Sequence, residues 1–156
     1  MMTTDNLKNY MKIQQIPLQW RGVLRAMSAE MSSVSENSDL RDFFSRIGER
    51  FASGIQSKFQ DVETLDELEA SLNVFWTEIN WGWVELLEEE GSIDITHQCV
   101  PLAQAFGDEE LSWSVGLLEG FYQTLFKEFG ASEDMVMTCV GESSDGMDIR
   151  LRFSQP

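Results

Sequence analysis

The sequence predicts an α+β fold: N-terminal helices, then two β-hairpins forming an antiparallel sheet, with a long apolar helix between the hairpins. Three observations predict it. Apolar residues recur at helical spacing as far as Ile79, the period changes to alternation from Trp83, and it turns helical again after residue 108 before a second alternating stretch ends the chain. A chain of 156 residues, 42% hydrophobic and 11% aromatic, has the material for one core, so a single domain over 1–156 is the expectation.

Residues 1–16 read as a short helix or an N-terminal arm carrying Leu7, Tyr10, Met11 and Ile13. Pro17 suits the start of a helix from Leu18 to Val34, with Trp20, Leu24, Met27 and Met31 on one face. Leu40, Phe43, Phe44, Ile47 and Phe51 mark the next helix, which Ser38 is placed to cap and Gly54 to end. A capping box follows. Thr64 can accept from an orphan amide while Glu67 reaches back to the amide of Thr64, ahead of a stripe of Leu65, Leu68, Leu72, Phe75, Trp76 and Ile79.

In the first hairpin Val84 and Leu86 share a face, Glu88 to Gly91 turn the chain, and Ile93, Ile95 and His97 alternate with Asp94, Thr96 and Gln98. The second pairs Met135–Val140 with Met147–Phe153 around Ser144-Asp145-Gly146. Its last strand sets Met147, Ile149, Leu151 and Phe153 on one face and Asp148, Arg150 and Arg152 on the other. Between the hairpins, a helix from Asp108 to Phe129 opens on acids and is closed by Gly130. It is apolar nearly all round, so it is central or shared with a partner. Its small-residue row, Ser112, Gly116 and Gly120, lets another backbone approach closely. The over-apolar helix, the aromatic stripes and the sheet edges all offer surface for subunit contacts.

Net charge is -16, from 27 acids against 11 bases, which repels nucleic acid and anionic headgroups. No run reaches the roughly 18 apolar residues of a membrane span, so no direct membrane insertion is expected. The first twenty residues lack a secretory apolar run, and the expected location is cytoplasmic, with the periplasm as the alternative. Cys99 and Cys139, each read as lying in a strand, are then expected buried and reduced.

No catalytic, cofactor or metal site emerges. His97, the single histidine, sits on the apolar side of a strand with no nucleophile motif beside it, and reads as a structural histidine. His97 and Cys99 share a strand face, but the metal motifs CxxC, HxxxH and HExxH are absent. Glu119 stands in the most apolar helix and needs a partner, for which Arg150 and Arg152 are candidates. Trp76, Trp81, Trp83 and Trp113 could present flat faces to sugar, although tryptophans at such spacing belong more often to core or interface.

From Ile79 to Tyr122 the ordered series Trp81-Gly82-Trp83, Ser92, Ile95, His97, Pro101, Trp113 and Leu118-Glu119-Gly120 with Tyr122 resembles the D subunit of bacterial cellulose synthase. The resemblance makes Trp81, Gly82, Trp83, His97, Trp113, Glu119, Gly120 and Tyr122 signature residues with structural or interface roles. It implies a non-catalytic accessory subunit without cofactors, assembled as a ring-shaped homo-octamer of dimers. Such a ring would organise synthase complexes and support glucan extrusion and crystallisation. The partners it implies are other synthase subunits, a Pro-rich accessory protein and the glucan chain, which family logic brings to the N-terminal arm at Lys8 and Tyr10. From the residues alone, a small-molecule-binding sensory or regulatory α+β domain stands as the alternative, supported by Met-rich helices and several tryptophans.

Overall fold

The computed structural model describes residues 4–156. Three helices open the chain: α1 (Thr4–Gln15), α2 (Leu18–Val34) and α3 (Asn37–Gly54). The N-terminal arm is therefore helical from Thr4, and its residues 1–3 lie outside the described residues. α3 starts earlier than its expected cap. Glu36 holds the cap position without a side-chain hydrogen bond, and Ser38 falls inside the first turn.

A 3-10 turn, Gln56–Phe59, buries Phe59 and leads to α4 (Leu65–Glu78). Half of the capping box forms as expected: Thr64 Oγ1 accepts the Glu67 N–H at 3.1 Å. The return arm differs, because Glu67 Oε2 takes the amide of Glu63 at 3.0 Å rather than that of Thr64.

β1 (Trp83–Glu89) and β2 (Ser92–Gln98) pair antiparallel, with Trp83 opposite Gln98 and Glu89 opposite Ser92. The turn is therefore only Glu90-Gly91, tighter than the sequence suggests. β3 (Val136–Glu142) and β4 (Ile149–Ser154) form the second hairpin, with a bulge between Cys139 and Gly141. β4 lies beside β2, Leu151 opposite Ile95, and the two hairpins close into one antiparallel sheet in the order β1-β2-β4-β3. Cys99 is not in a strand. It follows β2 with φ of 56°, so it leaves the face it was expected to share with His97. Both cysteines are free thiols.

Between the hairpins the single helix expected over 108–129 is divided. α5 (Leu102–Phe106) precedes a 3-10 turn at Asp108–Glu110, then α6 (Leu111–Ser114) and α7 (Gly116–Glu128) flank Val115. The division falls where Gly116 is pressed against the carbonyl of Arg41 in α3. α5 has five residues, too few for a helical period to register in the sequence.

Helices cover one face of the sheet. Val84, Ile95, His97, Leu151 and Phe153 turn inward onto Trp76, Leu118, Phe121 and Tyr122, while Arg150 and Arg152 face solvent. α3 packs lengthwise on α7. α2 behaves differently: it rests on α5 through Ser28, its one buried residue, whose hydroxyl donates to the Phe106 carbonyl at 2.6 Å. Of its expected stripe, Leu24 and Met31 are half-buried, and Trp20 and Met27 are exposed.

Candidate functional site

Of the signature residues, Trp81, His97 and Tyr122 meet around Trp76 in a buried network. His97 is fully buried, with the Trp76 ring at 4.8 Å and Tyr122 beside it. Its Nε2 lies 2.7 Å from the carbonyl of Trp81, which can only accept, so Nε2 carries the proton. Nδ1 is then the acceptor for the Tyr122 hydroxyl at 2.7 Å. Burial outweighs the Trp81 hydrogen bond and pushes the His97 pKa down to about 4, and burial likewise drives the Tyr122 phenol well above its ordinary value. The ring is neutral near neutral pH, with both nitrogens occupied.

That histidine fixes the turn into β1. The Trp81 N–H donates to the Trp76 carbonyl at 2.8 Å, and the Trp81 indole stacks on Trp76 at 5.4 Å between ring centres. Gly82 follows with φ of 76° and no room for a Cβ against the Gln98 carbonyl, so this position admits glycine alone. Trp83 lies outside the network: its ring is partly exposed and its Nε1 donates to Gln98 Oε1 at 2.7 Å. Trp113 is fully buried and donates to Glu110.

Glu119 is a bridge. Arg41 of α3 holds it bidentately, Nε to Oε1 and Nη2 to Oε2, both at 2.8 Å. Oε2 also accepts the Cys139 N–H of β3 at 2.9 Å. The partner is therefore Arg41 and not Arg150 or Arg152, because Glu119 points along the α3 side of α7, whereas Arg152 is taken by Asp94 on the far side of the sheet at 2.8 Å. A Cβ at Gly120 would strike the Ser45 carbonyl, and one at Gly48 the Leu117 carbonyl. The glycine row thus seats α3 of the same chain instead of a second subunit.

The sheet edges are occupied as well. An edge strand turns the polar groups of alternate residues outward. On β1, Asn73 of α4 clamps Val84, donating to its carbonyl at 3.0 Å and accepting its N–H at 2.7 Å, and Glu69 accepts the Leu86 N–H at 2.8 Å. On β3, Gln123 takes the Met137 N–H at 3.2 Å and Glu119 that of Cys139. The chain's own groups therefore take up the glycine row and part of each sheet edge.

A sequence profile for the cellulose synthase D subunit matches residues 6–154, which takes in every signature residue. The chain belongs to that family. It is 30% identical over 118 residues to a cellulose synthase operon protein D of Komagataeibacter xylinus, covering 74% of each chain. A protein of the same name from Komagataeibacter sucrofermentans shows the same identity and coverage. A further Komagataeibacter xylinus protein of that name is 35% identical over 79 residues, 49% of this chain and 51% of its own.

What remains open in this family member is a helical surface. Among the described residues, eight of the sixteen exposed large hydrophobic side chains belong to α1 and α2: Leu7, Tyr10, Ile13, Leu18, Trp20, Val23, Met27 and Val34. Lys8 is held by Asp145 and Asp148, while Tyr10 is exposed. Surface clefts include one of about 270 Å³ between Leu65, Ile93 and Phe126 and one of about 520 Å³ beside Glu88, Ile93 and Met135, the second within the roughly 300–1,000 Å³ of ordinary small-molecule sites. No group of three or more His, Cys, Asp or Glu among the described residues is placed to hold a metal ion, and no described helix is long and apolar enough to cross a membrane.

Sequence reasoning missed Arg41, Asn73 and Glu69. Glu69 and Asn73 are four apart on one helical face beside the apolar stripe, a faint signal that polar groups there serve a neighbour. Arg41 carried none, because an arginine on an amphipathic helix reads as solvated.

Proposed function

We propose that this protein is a non-catalytic, homo-oligomeric scaffold of the cellulose-synthesis machine, one domain over 1–156 with residues 1–16 as its arm. In this reading it works in the cytoplasm at the inner face of the membrane. It sets synthase complexes in order and supports extrusion and crystallisation of glucan polymerised by another subunit. Family membership supports the setting. Support for a scaffold comes from the signature residues, since seven of the eight are engaged in packing or buried hydrogen bonds and Trp83 is partly exposed.

The observation that carries assembly is the apolar face of α1 and α2. Trp20, Val23 and Met27 repeat at i, i+3 and i+7, with Leu18 at 78% and Val34 at 71% exposure at the two ends of α2. The exposed apolar stripe Trp20, Val23, Met27 and Val34 on one side of α2 is characteristic of an interface, and closed symmetry hides it in every copy at once. We assign the seams of an octamer of dimers to this face, and the Pro-rich partner and other synthase subunits to surfaces outside it. For glucan contact at the arm, Tyr10 has a free ring, whereas Lys8 would first have to leave its two carboxylates.

Light scattering across concentration and salt tests the reading. An octamer of the 17.8 kDa chain is the expected species. A monomer or simple dimer at every concentration would overturn the ring scaffold.

A further inference from the structure

The helical layer stops short of one end of the sheet. α4 starts only at Leu65 and α7 ends at Glu128, so Ile93 is half-buried whereas Ile95 and His97, further along the same face of β2, are fully buried. Around Ile93 three clefts run into one another. One of about 270 Å³ lies between the start of α4 and the end of α7. Val62 and Phe129 carry it on into a second of about 220 Å³ beside the Gln56–Phe59 turn, and Ile93 carries it into a third of about 520 Å³ that reaches Met135 and Gln155. The shared residues make the three one groove. Its space is open, since a Cβ at Gly91 or Gly130, both of which line it, would meet nothing within 4 Å.

The floor is apolar. Phe59, Leu68, Leu125 and Phe126 are buried beneath it, Val62, Ile93 and Met135 are half-buried, and Phe129 is 38% exposed. The rim is acidic. Glu63, Glu88, Glu89 and Glu128 line it and are exposed, and among the described residues that line it there is no lysine or arginine. Asp61, Glu90 and Asp134 are next in sequence to lining residues, as are the bases Lys58 and Lys127.

Two physical arguments choose the occupant. A second copy of this chain, whose net charge is -16, would set acid against acid across the rim. A run of joined, open clefts suits an elongated segment, whereas a compact small molecule is buried over most of its surface in its site.

We propose that this groove docks a short segment of another protein, in which apolar side chains seated over Ile93 and Phe129 are flanked by lysine or arginine facing Glu63, Glu88 and Glu128. No residue of α1 or α2 lines it, so docking and assembly use separate surfaces. That the segment belongs to another component of the cellulose machine rests on the scaffold reading, and the groove itself does not.

Fluorescence anisotropy on the full chain tests it, with a labelled synthetic peptide that has a leucine–valine centre and lysines at both ends. Binding should saturate at one peptide per chain. Replacing the lysines by glutamates, or the centre by serines, should weaken it by about tenfold or more. Glu63→Lys/Glu88→Lys should weaken it about five- to tenfold. The pair Glu49→Lys/Glu78→Lys makes the same change in net charge at exposed positions outside the groove, and should alter binding less than about twofold. Lack of saturable binding, or equal weakening by the two pairs, would overturn the docking site. So would equal affinity for lysine- and glutamate-ended peptides, the result expected of a pocket for an uncharged apolar ligand. A fall in mass for Glu63→Lys/Glu88→Lys in light scattering would show a second copy in the groove, and would overturn it too. Light scattering of the native chain separates the two claims. A monomer that binds the peptide keeps the docking site and sinks the scaffold, and an octamer that does not bind it does the reverse.

Discussion

The helix pairs α3–α7 and α1–α2 carry similar apolar periodicity and meet opposite fates. In α3–α7, Gly48, Gly116 and Gly120 bring the backbones together, Arg41 closes on Glu119, and the sheet is buried beneath. In α1–α2, Trp20, Met27 and Tyr10 look outward, and a few polar bonds tie the pair to the body. An apolar stripe shows that a helix has something to cover, and it leaves unstated which surface covers it. Glycines at close spacing together with an acid in an apolar helix point to partners within the chain.

The comparison breaks most visibly at Gly120. Gly120→Ala sets a methyl against the Ser45 carbonyl, a backbone atom with little room to yield. We expect a loss of about 3 kcal/mol or more of unfolding free energy, at the upper end for overpacking, read from urea denaturation. A loss below about 1 kcal/mol would mean that α3 and α7 slide apart easily and that their contact is not the rigid half of the molecule.

Next in size is the acid response of His97. Its folded pKa of about 4 is depressed from 6.5, so the unfolded chain takes up the proton first as pH falls. Stability from this group is complete above pH 6.5, falls between 6.5 and about 4, and is lost below. The full change is about 3 kcal/mol. Urea midpoints followed through that window for the native chain and His97→Gln should show the steeper decline in the native chain. Parallel declines would rule out a buried neutral imidazole as the source of the acid response.

The smallest effect on stability is expected from the open face. Trp20→Ser/Met27→Ser should change the unfolding free energy by less than about 0.5 kcal/mol per site while, on the scaffold reading proposed above, reducing the mass in solution. If the pair instead destabilises the chain as strongly as Gly120→Ala and leaves the mass unchanged, the contrast between the two helix pairs fails.

Much of the fold is legible in the sequence because its signals are local. Alternation marks both hairpins, Thr64 marks the start of α4, and the turn at Ser144-Asp145-Gly146 stands where its residues place it. The interruption of the expected long helix at Val115 is not legible, since both sides share one apolar period and Val115 itself keeps helical dihedrals. The Glu119 partner, expected on β4, is on α3, because a bidentate pair is a statement about distance in space. Lys8, expected at the glucan, is held by two carboxylates that lie more than a hundred residues away in sequence.

Local pattern was enough for the α+β class, the succession of N-terminal helices and two hairpins, and the family signature, since periodicity and turn chemistry act over a few residues. It took the packed chain to show that α4 and α7 side chains hold amides along both sheet edges, that the glycine row serves α3, and that apolar side chains of α1 and α2 stay exposed. Burial and hydrogen-bond closure are settled by which surfaces meet, and no local pattern specifies that meeting.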